Sequence, residues 1–156
     1  MNKMTIIFVL STLFIFAGCK KNNDIISYHK FKDHTWNRFE KIRFEIPILD
    51  ISKPYDVYFF ANHTPAYEFD NLNFNMIMTT PAGEERIKEY TFAIKYRTGS
   101  FTGLCVQDSC TASVALKKGL YMEKKGMLKI EIEALVPRLE IKALSGIGIR
   151  LIPSGQ

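Results

Sequence analysis

Leu128, Ile130, Ile132 and Ala134 fall at every second position and alternate with Lys129, Glu131 and Glu133. Successive side chains on a strand point to opposite faces, so this spacing puts the apolar groups on one side and the charges on the other. A helix would scatter the same residues around its surface. Ile42, Phe44, Ile46 and Ile48 repeat the pattern against Arg43, Glu45 and Pro47. Leu72, Phe74, Met76 and Met78 do so against Asn73, Asn75 and Ile77. Tyr90, Phe92 and Ile94 continue it, and Ile147, Ile149 and Leu151 close it against Gly148 and Arg150. Asp56–Asn62 is apolar or aromatic at nearly every position, as a central strand would be, and Ala112–Leu116 reads as a short strand. Pro47 has no N–H for a ladder, which puts its strand at a sheet edge or ends it there.

Turn signals separate these runs: Asp50–Pro54, Asn62–Asn71, Thr80-Pro81-Ala82-Gly83 and the Gly-, Ser- and Thr-rich stretch Thr98–Ser113. Only Arg138–Leu144 could hold a helical turn or two, with Leu139 and Ala143 on one face. The pattern predicts an all-β chain, an antiparallel β-sandwich of about eight strands, with a closed β-barrel as the alternative. A membrane-spanning barrel fits poorly, since the strands are short and aromatic girdles are not evident. The chain has 156 residues, 47% apolar and 24% charged, which suits one domain with one core. Its excess of positive charge, +5, is modest and scattered, which argues against nucleic acid as a partner.

The N-terminus speaks to location. Lys3 precedes the run Ile6–Ala17, interrupted only by Ser11 and Thr12. That run is short of the about 20 apolar residues a spanning helix needs. A basic start, a short apolar stretch and small residues before a break are the parts of a secretory signal. The break is Phe16-Ala17-Gly18-Cys19, followed at once by Lys20-Lys21. Small residues before a Cys resemble a bacterial lipobox, and that resemblance implies cleavage before Cys19 and a diacylglycerol on its sulfur. An ordinary signal peptide with an incidental Cys is the plainer reading. Acyl chains add about 0.8 kcal/mol per buried methylene, so several of them hold a protein on a bilayer durably. The expected organisation is a signal peptide at residues 1–18, the lipidated Cys and a polar tether at 19–27, and one β-sandwich domain at 28–156. The expected location is the cell envelope, on the outer membrane facing the periplasm, with the membrane itself as a partner through the lipid.

Sites for chemistry are sparse. His29, His34 and His63 lack the spacing and the companion ligands of a zinc site, so no metal is expected. There is no Walker A, no G-x-G-x-x-G and no G-x-S-x-G, and no cofactor is implied. Glu84-Glu85 and the Glu131/Glu133 pair read as solvated surface rather than acid–base groups. Asn62-His63-Thr64 matches a glycosylation sequon that means little in a bacterial lipoprotein. Cys105 and Cys110 form a C-x4-C loop, for which an oxidising compartment favours a disulfide worth about 2 kcal/mol, against two free thiols. Trp36, Tyr55, Tyr58 and Tyr67 could stack on sugar faces if exposed; the plainer reading puts them in the core or at strand ends.

The order of these features resembles one family, the gliding motility lipoprotein GldH of the Bacteroidetes group. The resemblance begins at Tyr28-His29-Lys30-Phe31 and continues through Trp36 and Phe44-Glu45-Ile46-Pro47-Ile48. It runs on through Tyr55-Asp56-Val57-Tyr58-Phe59, Asn71-Leu72, the Thr80–Gly83 turn and Thr98–Gly103, and ends at Leu144–Leu151. Phe101 stands where the family tends to carry Trp. What the resemblance implies is a non-enzymatic envelope lipoprotein serving gliding or, in non-gliding hosts, envelope assembly or export. It supplies no catalytic residue; only Cys19 carries over, as the lipid-bearing position.

Two functional classes follow. One is an interaction protein that docks onto other envelope proteins, with an edge strand such as Ile42–Ile48 available for strand addition. The other is a glycan-binding module that uses its aromatic residues.

Overall fold

The computed structural model describes residues 24–155. Eleven strands account for nearly all regular structure. In chain order they are β1 (Ile25–Lys30), β2 (Trp36–Asn37), β3 (Lys41–Ile48), β4 (Tyr55–His63), β5 (Asn71–Thr79) and β6 (Glu85–Ala93). They continue with β7 (Leu104–Val106), β8 (Ser109–Leu120), β9 (Gly126–Ala134), β10 (Glu140–Ile141) and β11 (Leu144–Pro153). Five strands form one sheet in the order β1-β11-β4-β8-β7, and four form another in the order β3-β9-β5-β6. β2 and β10 make a two-stranded patch. Every pairing is antiparallel.

The two large sheets face each other. Alternation decides which side chains fill the gap: Ile42, Phe44, Ile46 and Ile48 from β3 are buried, as are Leu128, Ile130 and Ile132 from β9. Val57, Phe59 and Ala61 come in from β4, and Ile147, Ile149 and Leu151 from β11. Phe59 ties the layers together. Its ring lies 4.4 Å from Phe74 of β5 and 5.5 Å from Phe92 of β6, the latter edge to face. This is a sandwich. Among the described residues no ladder joins β1 to β3 or β6 to β8, so the barrel alternative is corrected. At the seam between β6 and β8 a side chain bridges the sheets, with the Tyr90 hydroxyl donating to the Leu116 carbonyl at 3.0 Å.

β3 is an edge strand, as Pro47 requires, and β4 lies in the middle of its sheet. Several expectations are corrected. The chain enters the fold at Ile25, so β1 takes three residues read as tether. Arg138–Leu144 is not helical: Glu140–Ile141 pairs with Trp36–Asn37, and Leu144 opens β11. Ala143 takes a positive φ of 61° there, and Leu139 is exposed, so the two residues share no helix face. The polar stretch after the Thr80–Gly83 turn is the start of β6, an edge strand with solvent on much of both faces. Ala112–Leu116 is the middle of a longer strand, β8.

Candidate functional site

The sequence-derived candidates are scattered. Trp36 is fully buried, stacks on Phe31 at 5.2 Å and donates its indole N–H to the Glu40 carbonyl at 3.0 Å. Tyr55 is buried and donates to the Asp50 carbonyl at 2.6 Å, and Tyr67 is buried beside His63. None of these three can offer a ring face to a sugar. Trp36 and Tyr55 open β2 and β4, and Tyr67 lies in the loop between β4 and β5, packed on His63 and Phe69. Tyr58 alone points out of the sheet, half-buried, with the Arg150 guanidinium 5.8 Å from its ring centre. Cys19 lies outside the described residues. Cys105 and Cys110 face each other across the β7–β8 hairpin and are joined as a disulfide.

No group of three or more His, Cys, Asp or Glu side chains that could hold a metal occurs among the described residues. Glu131 is engaged by Arg43 at 2.8 Å and Lys41 at 3.1 Å, and these bonds hold its carboxyl below the usual range. A shallow cleft of about 730 Å³ between Ala66–Phe69 and Arg138–Ala143 is crossed by the Arg138–Glu68 pair at 3.2 Å. It gathers no nucleophile and base.

His63 is fully buried. Its Nδ1–H donates to the Thr64 carbonyl at 2.9 Å, while Nε2 has no protein partner. Phe101 packs 4.7 Å from its ring centre. Burial lowers its pKa from the ordinary 6.5, the Thr64 bond opposes that, and the charge of Lys95 adds to the lowering. Above about pH 6.5 the ring is neutral in both folded and unfolded chains, and its contribution is fully present. As pH falls below that, the unfolded chain takes up a proton the folded one refuses, and stability falls. Urea melts at pH 7.5 and 5.5 should show a drop that shrinks in His63→Phe; parallel drops in the two proteins would exclude His63 as its source.

The feature that stands apart is the outer face of the five-stranded sheet. Register lines its residues up in rows. Tyr28 of β1 lies opposite Gly148, which lies opposite Phe60, which lies opposite Ser113. The next row runs Ile26, Arg150, Tyr58, Ala115. Leu104 and Val106 of β7 extend the face, 76% and 63% exposed. Tyr28 and Phe60 stack with ring centres 5.8 Å apart and planes within 5°. They meet because β11 carries no side chain between them. A Cβ on Gly146 would lie 2.2 Å from the Tyr28 hydroxyl, and one on Gly148 would lie 2.2 Å from the Phe60 ring. The glycines thus let two aromatic rings lie over bare backbone, leaving a broad apolar surface with Ile26 58% and Tyr28 44% exposed.

Sequence reasoning missed this face, though a trace of it was present. Val57–Ala61 and Ile25-Ile26 are apolar at outward as well as inward positions. A run without alternation looks the same whether its outer face meets protein or water.

The family model described as GldH lipoprotein matches residues 25–151, from the first residue of β1 into β11. The chain belongs to the GldH lipoprotein family. One GldH relative, the gliding motility lipoprotein GldH of Flavobacterium johnsoniae, is 22% identical over 152 residues, covering 93% of each chain. A GldH homolog of Christiangramia forsetii is 19% identical over 147 residues, covering 90% of each. A solved structure of TmCBM61 in complex with β-1,4-galactotriose aligns with 12% identity and a TM-score of 0.33, over 87% of this chain and 85% of that one. A score so low carries no argument about fold or ligand. The GldH match covers all but the last two residues of β11, and so includes the rows of β1, β4 and β11 that build the apolar outer face.

Proposed function

We propose that this GldH-family chain is a non-enzymatic, lipid-anchored envelope protein that assembles with another protein of the gliding or envelope machinery. The docking surface is the outer face of the five-stranded sheet. The observation that carries this reading is the Tyr28–Phe60 stack, which with Ile26 leaves aromatic and aliphatic surface open to solvent around Arg150. Tyr, aromatic residues and Arg are the types that dominate protein–protein hot spots, and a flat sheet face needs no pocket to use them. The outer face of the other sheet is different in kind, with Lys41, Arg43, Glu131 and Glu133 held in ion pairs. A lipid on Cys19 would keep the domain in the envelope, and an outer-membrane location facing the periplasm is part of the proposal. The glycan reading has less behind it, since Trp36, Tyr55 and Tyr67 are core residues.

A photo-crosslinking residue placed at Ile26 in the native host should capture one discrete protein, and the same residue at Asn75, on the other sheet's outer face, should not. Tyr28→Glu should weaken that capture tenfold or more while leaving the melting temperature nearly unchanged. Equal capture from both faces, or capture indifferent to Tyr28→Glu, would refute the assignment.

A further inference from the structure

We infer that one end of the sandwich, formed by the Leu49–Pro54 and Tyr121–Lys125 loops, rests on the bilayer and engages anionic phospholipid headgroups. The inference uses the Cys19 anchor of the proposed function and adds an orientation and a lipid-contacting surface.

Register places these parts together. β1 starts at Ile25 opposite Leu151, and two residues on Pro153 lies opposite Tyr55, which lies opposite Leu120. The entry of β1, the exit of β11, the entry of β4 and the exit of β8 therefore share one end. In the second sheet Ile48 pairs with Gly126, so the end of β3 and the start of β9 lie there too. Ser154 N–H donates to the Pro54 carbonyl at 2.8 Å, and Tyr55 ties down Asp50, which fixes the first loop against the sheet.

That end is where the chain comes from its anchor. Only residues 20–24 separate Cys19 from β1, a reach of at most about 20 Å. The opposite end is farther off by the length of a nine-residue strand, roughly 30 Å. Hence the anchor itself decides which end meets lipid. What it presents is suited to an interface: Leu49 is 74% exposed, Tyr121 70% and Ile51 38%. Exposed Lys53, Lys124 and Lys125 surround them. Of the acids at this end, Asp50 accepts from the Ser52 N–H and hydroxyl at 2.9 and 2.6 Å, and Asp56 from the Gly119 N–H and the Ser154 hydroxyl at 2.8 and 2.6 Å. Asp24 pairs with Arg150 at 3.4 Å and Glu84 with Arg86 at 2.8 Å, which leaves Glu85 and Glu123. Apolar tips ringed by lysine match the chemistry of the headgroup–acyl boundary of an anionic leaflet. The far end also exposes apolar side chains, Phe39, Tyr96 and Leu139, which makes it a fair internal control.

The test uses the mature lipoprotein reconstituted in phosphatidylethanolamine–phosphatidylglycerol vesicles that carry a headgroup nitroxide lipid. A bimane label is placed at Glu123→Cys or, at the far end, at Arg97→Cys. Quenching at 123 should exceed that at 97 several-fold. The triple variant Leu49→Ser, Ile51→Ser, Tyr121→Ser, and separately Lys53→Glu, Lys124→Glu, Lys125→Glu, should bring quenching at 123 down toward the level at 97, with circular dichroism confirming the fold. Equal quenching at both sites, or quenching at 123 that both variants leave intact, would overturn the docking end. Flotation separates the premise from the inference: a protein that fails to float with the vesicles lacks the anchor, whereas one that floats without quenching at 123 is anchored but held clear of the lipid.

Discussion

Phe59→Ala is expected to lower the unfolding free energy by about 3–5 kcal/mol, the range for deleting a fully buried phenyl ring. The size follows from position. Phe59 sits in β4, the middle strand of the five-stranded sheet, and its ring meets Phe74 and Phe92 from the opposite sheet. Removing it leaves a void bordered by both layers, and strands held by ladder bonds on either side cannot collapse far into it. For a two-state domain of this length a loss of that size is a large part of the total stability. Urea unfolding measures it directly. A loss below about 1 kcal/mol would mean that the two sheets do not pack through Phe59 as described.

Gly146→Ala is expected to cost about 1–3 kcal/mol, although alanine adds a single methyl group. That methyl would meet the Tyr28 hydroxyl at 2.2 Å and the His29 carbonyl oxygen at 2.5 Å. The tyrosine can swing away; the carbonyl belongs to the backbone of β1 and cannot move without shifting the strand. Among the described residues β1 pairs only with β11, so it is the element that yields. Hydrogen exchange should show faster exchange across Ile25–Lys30 while β9 and β5 keep their protection. Because the same step displaces Tyr28 from its stack on Phe60, partner capture through Ile26 should fall as well. Unchanged exchange in β1 would show that Tyr28 and β1 accommodate the methyl without strain.

Much of the fold was legible along the chain because half-buried strands write themselves in period two. β3, β5 and β9 each carry one apolar and one polar face, and each was readable to within a residue or two at its ends. Pro47 marked an edge for a backbone reason that tertiary structure cannot alter. β2 and β10 were not readable. Each is two residues long and exists only because Trp36–Asn37 meets Glu140–Ile141 across more than a hundred residues of chain. β6 was half hidden, since an edge strand wet on both sides has no apolar face to alternate. Trp36, Tyr55 and Tyr67 illustrate the limit for sites: an aromatic side chain serves equally well as core or as platform, and nothing local distinguishes the two.

By itself, then, the apolar pattern determined an all-β antiparallel chain and a central place for β4, and the missing N–H of Pro47 marked an edge or a strand end, because each depends on a single strand; the choice of sandwich over closed barrel needed the pairing. Tertiary structure alone decided which rows of the outer face coincide. Nothing local marks Gly148 until register sets it between Tyr28 and Phe60, or Gly146 until the fold brings the Tyr28 hydroxyl over it. Which end of the sandwich receives the chain from its N-terminal side was also set by pairing, because strand direction is relative and only the register puts the start of β1 at the same end as Pro153, Tyr55 and Leu120.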